Sequence, residues 1–266
     1  MEAEIIRHRG AERAVVALAL KAGQILLENG GEIFRVEETV SRICDYYGMK
    51  STSVFVLSNG IFITSGDDKE EYLAKVIQIP VNHANLSRVA DVNQLSREIT
   101  QGQYSIEEAR LRLEEIEKQK EKPRWLQILA AGVSSACFSI LFGGDAADFM
   151  CTFIVGILLY AYLVCIGKPY QSKIVRHILG GALITFLCLV CYHLNLGHHL
   201  EIMIIGDIIL MVPGLAFTNG IRDIADGDYI SGSVRMLDAV LVFFCIAVGV
   251  GFVIAAYSRL FGGAPL

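Results

Sequence analysis

Residues Asp207 to Asp223 read D-I-I-L-M-V-P-G-L-A-F-T-N-G-I-R-D. A carboxylate stands inside an apolar run, Pro213-Gly214 interrupts the run, and Thr218, Asn219, Arg222 and Asp223 close it. An ionisable side chain at a bilayer centre costs about 2.5–3.5 kcal/mol on insertion scales, so Asp207 calls for a partner or a watery niche. Proline removes a backbone N–H and glycine loosens the next turn, which frees carbonyls to face a solute. The stretch reads as a transport site on a membrane helix broken at Pro213 and Gly214.

Working outward, five apolar runs are long enough to cross about 30 Å of hydrocarbon. They cover residues 125–142, 147–167, 177–195, 200–217 and 236–257. Asp207 falls near the midpoint of the fourth, Glu201 at its outer end, and Asp238 in the first turn of the fifth. Small residues at Ala131, Ser135, Ser139, Gly180, Gly181, Gly249, Gly251 and Ala255 let helix backbones approach closely. Such faces serve packing inside one subunit or contact with a partner chain, a second copy included.

Charge divides the chain. Residues 1–124 hold 17 of the 23 Lys+Arg and 20 of the 28 Asp+Glu, so that part reads as soluble and the remainder as membrane. The expected domains are a 1–124 α+β domain, a 125–257 five-helix transmembrane domain and a 258–266 tail. Loop cations (Lys168, Lys173, Arg176, Arg222, Arg235) fall on one side of the bilayer, while the loops at 143–146 and 196–199 carry none. The positive-inside rule then puts the N-terminal domain in the cytoplasm of a multi-pass inner-membrane protein, with Arg259 the one dissenting charge. The charged N-terminus lacks an apolar h-region, so no cleaved signal peptide is expected. The net charge of -5 comes with no basic block, which argues against nucleic-acid binding.

In the soluble part, helices are expected over 12–29, ending at Gly30-Gly31, and over 32–47, ending at Gly48. The second has an apolar face of Ile33, Val36, Val40 and Ile43 and a charged face of Arg35, Glu37, Glu38 and Arg42, which spacing alone reads as solvated. Strands 53–57 and 61–64 flank Ser58-Asn59-Gly60, where Asn-Gly is expected to supply positive φ angles. A third strand is expected near 73–79, after a Gly66-Asp67-Asp68 turn and before Pro80. Helix 85–99 ends at Gly102, and Ser105-x-x-Glu108 is a capping box opening a helix with Glu108–Arg112 and Glu114–Lys118 pairs, closed by Pro123.

No nucleophile elbow, P-loop, GxGxxG or HExxH is present, His83 reads as a loop histidine, and no cofactor is expected. Six of the seven cysteines lie in apolar runs and read as packing residues. Cys188, Cys191 and His193, with His198-His199, are the one grouping with a look of metal ligation, but no second CxxC answers them and no metal is expected. Within the broken segment, burial favours the protonated acid at Asp207, which suits it to carry a proton. Arg222 offers a fork for a substrate carboxylate, and Asp223 or Asp226 could hold an ammonium group or orient the arginine. A helix cap and interfacial turn is the plainer reading of the same loop. A membrane-anchored hydrolase or sensor would place the work in residues 1–124, yet a mere anchor has no need of Asp207 and a Pro-Gly break.

From Ala14 to Tyr257 the chain resembles the threonine/serine exporter family, in its N-terminal half. The landmarks are Leu27-Glu-Asn-Gly30, Gly31-Glu-Ile-Phe-Arg-Val-Glu-Glu-Thr39, Asn85-Leu-Ser-Arg88, Val92-Asn-Gln-Leu-Ser-Arg97, Phe142-Gly-Gly144, Val212-Pro-Gly214 and Thr218-Asn-Gly-Ile-Arg-Asp223. The resemblance implies a non-enzymatic, proton-driven secondary exporter of threonine- or serine-type amino acids or of a dicarboxylate such as succinate. It also implies a second, smaller membrane subunit that completes the transporter. It raises the standing of Arg35, Glu37 and Glu38, as a cytoplasmic gate.

Overall fold

The computed structural model describes residues 2–49, 51–65, 73–79, 84–165 and 172–262, with the side chains of 2–9, 73 and 165 left aside. The Gly66-Asp67-Asp68 turn, Pro80, His83 and Lys168 lie outside the described residues, as does the side chain of Cys165. The chain falls into two compact units: Met1–Lys120 with Leu215–Leu237, and Glu121–Gly214 with Asp238–Leu266.

In the first unit, α1 (Glu2–Glu28) and α2 (Ile33–Tyr46) pack on each other, and α3 (Leu86–Thr100) and α4 (Ile106–Glu117) complete the helical layer. Helix α1 starts ten residues earlier than its apolar spacing indicates, because Glu, Ala, Ile and Arg in residues 2–9 are adequate helix formers. Strands β1 (Thr52–Leu57), β2 (Gly60–Ser65) and β3 (Leu73–Gln78) form an antiparallel sheet in the order β1-β2-β3. The core joins Leu18, Leu20, Ile25, Leu26, Ile33, Ile43, Ile61, Ile63, Ile99 and Leu113, all at most 2% exposed, so each contributes about 1.5–3 kcal/mol of apolar burial.

Local chemistry explains three departures from expectation. Leu57 pairs with Gly60, so the hairpin turn is Ser58-Asn59 alone, and neither Asn59 nor Gly60 has a positive φ. Gly60 is instead the first residue of β2, where a side-chain carbon would lie 3.1 Å from the Ile77 carbonyl of β3. Ser105 and Glu108 form the capping box, and because this occupies the Glu108 carboxylate, Arg112 pairs with Glu115 at 2.6 Å. Lys118 does pair with Glu114, at 3.3 Å. Pro123 is the N-cap of the following helix, and α4 has already ended at Glu117.

In the second unit, α5 (Arg124–Leu141), α6 (Ala146–Cys165), α7 (Lys173–His193) and α10 (Tyr229–Phe261) are long and apolar enough to cross a membrane. The run at 200–217 is not a fifth such helix. It splits into α8 (Leu200–Ile208) and α9 (Gly214–Ala225), separated by a non-helical stretch at 209–213. Nine residues reach only about 13 Å at 1.5 Å each. Pro213 supplies no N–H to a continuing helix and pushes Val212 out of helical geometry, so the apolar run cannot stay helical through it.

Helix α10 is also longer than its apolar run. Asp238 therefore stands not in the first turn but in the third, where it pairs with Lys173 of α7. Arg222 and Arg235 sit on α9 and α10, not in a loop. Helices α7 and α10 touch backbone to backbone: a side-chain carbon on Gly181 would lie 2.7 Å from the Ile246 carbonyl, and one on Gly249 would collide with the Ile178 carbonyl.

Candidate functional site

Along the chain, a set of buried polar groups lies on each side of the break, one in each unit. In the second unit Asp207 is the penultimate residue of α8 and is completely buried. Its Oδ2 accepts from the Cys188 thiol of α7 at 3.6 Å. The Ser135 hydroxyl of α5 lies beside the carboxyl, yet neither Ser135 Oγ nor Asp207 Oδ1 has a hydrogen bond of normal geometry. Among the described residues no salt bridge reaches this carboxyl. Thus α8 brings an acid into an apolar bundle and stops directly after it.

In the first unit, α9 and the start of α10 hold the turn between α1 and α2. Asn219 donates to the Gly30 carbonyl at 3.0 Å, and Arg235 Nη2 donates to the Gly31 carbonyl at 2.9 Å. Asp223, 2% exposed, accepts from the Ile33 N–H at 3.3 Å. Ile33 opens α2, and its N-cap Glu32 makes no side-chain cap, so Asp223 supplies from another helix the anion that an N-terminus favours. The Arg235 Nη1 to Asp223 Oδ2 approach of 3.0 Å is an ion pair whose angle misses hydrogen-bond geometry. Burial raises the pKa of Asp223, and the charge of Arg235 and the Ile33 N–H pull it the other way. Arg222 forms an ion pair with Glu32 while remaining half exposed. Thr218 is exposed on α9.

The cluster therefore unites Asn219, Arg222 and Asp223 around the turn, with Thr218 outside it. Sequence reasoning missed Glu32 and Arg235. The available signals were the landmark run beginning at Gly31 and an arginine that is the seventh residue of what proves to be a helix. On α2, Arg35 is exposed, 3.9 Å from Glu32 and 3.7 Å from Glu38, and Glu38 pairs with Arg42. Glu37 turns to the sheet, accepting from the Val56 N–H at 3.0 Å, and burial raises its pKa.

Cys188, Cys191 and His193 do not come together as ligands: Cys188 meets Asp207, Cys191 meets Cys151, and His193 lies against Tyr257 and Phe261. The group of ligand atoms that does converge is Asp145, Asp148 and His199, within 4.8 Å of one another. Its hydrogen bonds describe a cap network. Asp148 Oδ1 accepts from the N–H groups of His198 (2.7 Å) and His199 (3.0 Å), while Oδ2 meets the Asp145 N–H (3.1 Å) and His199 Nδ1 (2.7 Å). Asp145 caps α6 and meets His198 Nδ1 at 2.5 Å, which with its N–H partners lowers its pKa to about 2. The hydrogen bond to Asp148 raises the pKa of His199.

Residues 17–257 match the family model described as "Putative threonine/serine exporter". The "Threonine/serine exporter" of Corynebacterium glutamicum is 25% identical over 89% of this chain, which spans half of that protein's length. The "Probable succinate transporter subunit YjjP" of Klebsiella aerogenes is 25% identical over 91% of this chain and 93% of its own. "Pheromone-regulated membrane protein 10" of Pichia sorbitophila is 26% identical over 89% of this chain, matching 24% of its own. No solved structure matches. With a match across most of its length, apolar helices fit to cross a bilayer, and relatives named for transport, the chain belongs to the threonine/serine exporter family.

Proposed function

We propose that this chain is one subunit of a proton-coupled secondary exporter of small hydrophilic metabolites. The solute is a threonine- or serine-type amino acid or a dicarboxylate such as succinate, since either carries a carboxylate for a forked guanidinium. A second, smaller membrane subunit completes the transporter in the inner membrane, and the N-terminal domain faces the cytoplasm. The observation that carries this reading is the buried, nearly unpartnered Asp207 at the end of a helix that stops at the Pro213-Gly214 break. Ionisable groups kept in such places mark ion and solute pathways. A relative named as a transporter subunit supports the second subunit.

In this reading Asp207 exchanges protons, and Arg222 and Thr218 meet the solute, with Glu32 holding the guanidinium when no solute is bound. Asn219 and Asp223 fix the backbone on which Arg222 is presented. Arg35 and Glu38, with exchangeable surface pairings, gate the cytoplasmic side, and Glu37 anchors that helix to the sheet.

The test uses vesicles from cells expressing the chain with its partner subunit, loaded with labelled threonine or succinate under an inward proton gradient. Asp207→Asn should reduce efflux to the rate of vesicles lacking the protein while leaving the amount of assembled protein unchanged. Undiminished gradient-driven efflux in that variant dismisses the role of Asp207, and no efflux of either solute by the unaltered pair dismisses export.

A further inference from the structure

The second unit contains a line of buried polar side chains that an apolar bundle does not require. At its exposed end is His199, whose ring is 44% exposed and whose Nδ1 lies 2.7 Å from Asp148 Oδ2, on a carboxylate that is fully buried. One turn along α6, Thr152 donates to the Asp148 carbonyl at 2.8 Å and lies 3.1 Å from Ser139 Oγ of α5. One turn back along α5 stands Ser135, beside Asp207. Ser135, Ser139, Asp148, Thr152 and Asp207 are all 0% exposed.

Two features separate this line from ordinary packing. Ser135 Oγ and Asp207 Oδ1 are buried beside one another with no hydrogen bond of normal geometry, and polar groups left so are unfavourable in an apolar interior. In addition, α8 lies directly on the serine face, since a side-chain carbon on Gly206 would stand 3.2 Å from the Ser135 carbonyl, the Ser139 nitrogen and Ser139 Cβ. Helix α8 is thus held against the face of α5 that carries both serines, with the acid beside Ser135 and Ser139 continuing toward Thr152.

We propose that His199, Asp148, Thr152, Ser139 and Ser135 form the route by which protons pass between water and Asp207. This rests on the reading of Asp207 as the coupling acid. One proton enters at His199 Nε2, and the ring releases the proton on Nδ1 to Asp148 Oδ2. Asp148 passes one on to the Thr152 hydroxyl one turn along, and Thr152, Ser139 and Ser135 each take up one proton and give up one, Thr152 and Ser139 rotating from their present acceptors, the Asp148 and Ala136 carbonyls. Asp207 Oδ1 ends as the acid, and no other bond changes. The charged and titratable groups facing the route are Asp145, His198 and Glu201 around His199, Cys151 near Asp148, and Cys188 against Asp207. The raised pKa of His199 keeps its proton available further into the neutral range. The 196–199 loop, which has no Lys or Arg, is by the positive-inside reading on the outer side, where an exporter driven by inward protons has to admit them.

The test is infrared spectroscopy on the full chain, reconstituted with its co-purifying subunit, following the carboxylic C=O band that Asp207→Asn removes. On transfer to deuterated water, Thr152→Val and Ser139→Ala should slow deuteration of that band about tenfold or more. Thr152→Ser, which keeps the hydroxyl, should restore the rate. Unchanged exchange in the hydroxyl-free variants, slow exchange in Thr152→Ser, or no Asp207 band at any pH overturns the route. Slowed exchange without export of threonine or succinate by the unaltered pair would keep the route and remove the exporter reading; export with unaffected exchange would do the reverse.

Discussion

Asp207 and Asp223 are the same residue, buried to the same degree, on either side of one helix break, and their surroundings differ almost completely. Asp223 has Arg235 at 3.0 Å and the Ile33 N–H at 3.3 Å, and it caps α2. Asp207 has the Cys188 thiol at 3.6 Å and the Ser135 hydroxyl beside it, with one oxygen in no hydrogen bond of normal geometry and no cation among the described residues. A buried carboxylate with a cation and an N–H is a fastening, whereas one left without them persists in a fold only if something other than stability retains it. Burial alone does not distinguish the two; the census of partners does.

The sharpest way to break that contrast is to remove the cation. Arg235→Met should destabilise the protein by about 3–5 kcal/mol, because it leaves Asp223 charged and buried, and pairing it with Asp223→Leu should recover most of the loss. Thermal unfolding of the four-member cycle in detergent measures this. Asp207→Asn in the same assay should leave the melting temperature unchanged or raised, and a loss as large as that of Arg235→Met would place Asp207 among the fastenings.

A smaller effect separates the members of the α9 cluster. Asn219→Ala removes a buried donor from the Gly30 carbonyl and should cost about 1–3 kcal/mol. Arg222→Ala breaks a half-exposed ion pair and should cost about 1 kcal/mol or less, while weakening uptake of solute into the proposed site. Equal destabilisation by both would mean that Arg222 is as structural as Asn219.

The smallest expected change concerns pH at the cap network. His199, with a raised pKa, contributes stability that is complete below its ordinary value of 6.5 and is lost as pH rises through the folded value. Asp145, lowered from 3.8 to about 2, contributes above its ordinary value and is lost as pH falls toward 2. Amide exchange at His198 and His199 should therefore be slowest, after correction for intrinsic rates, between about pH 4 and 6.5. A flat profile would remove the ionic part of that contact.

Much of this was legible because it is local. The Ser105–Glu108 box, the Gly102 stop and the apolar face of α2 depend on residues within a few positions of one another. Apolar run length identified the long membrane-type helices, but it could not tell that 200–217 stops being helical, since Ile209 to Val212 are as apolar as the helix before them. The turn and pair errors at Gly60 and Arg112 came from assigning one job to a residue that the fold uses for another. What stayed illegible is long range. Arg222 meets Glu32 across 190 positions and Arg235 meets Gly31 across 204, and nothing in the spacing of either stretch announces its partner. Likewise Asp145 and Asp148 look like loop acids until the fold brings His198 and His199 to them.

The mutual backbone contact of Gly181 with Ile246 and of Gly249 with Ile178 bears on how such a protein could cycle. Two helices whose main chains touch at positions three residues apart have no side-chain layer between them there, which favours α7 and α10 moving as one strut. Alternating access would then be carried by the elements free of that bond, foremost the short, interrupted α8. A bulky residue at position 249 should splay the strut and leave the cycle without a fulcrum.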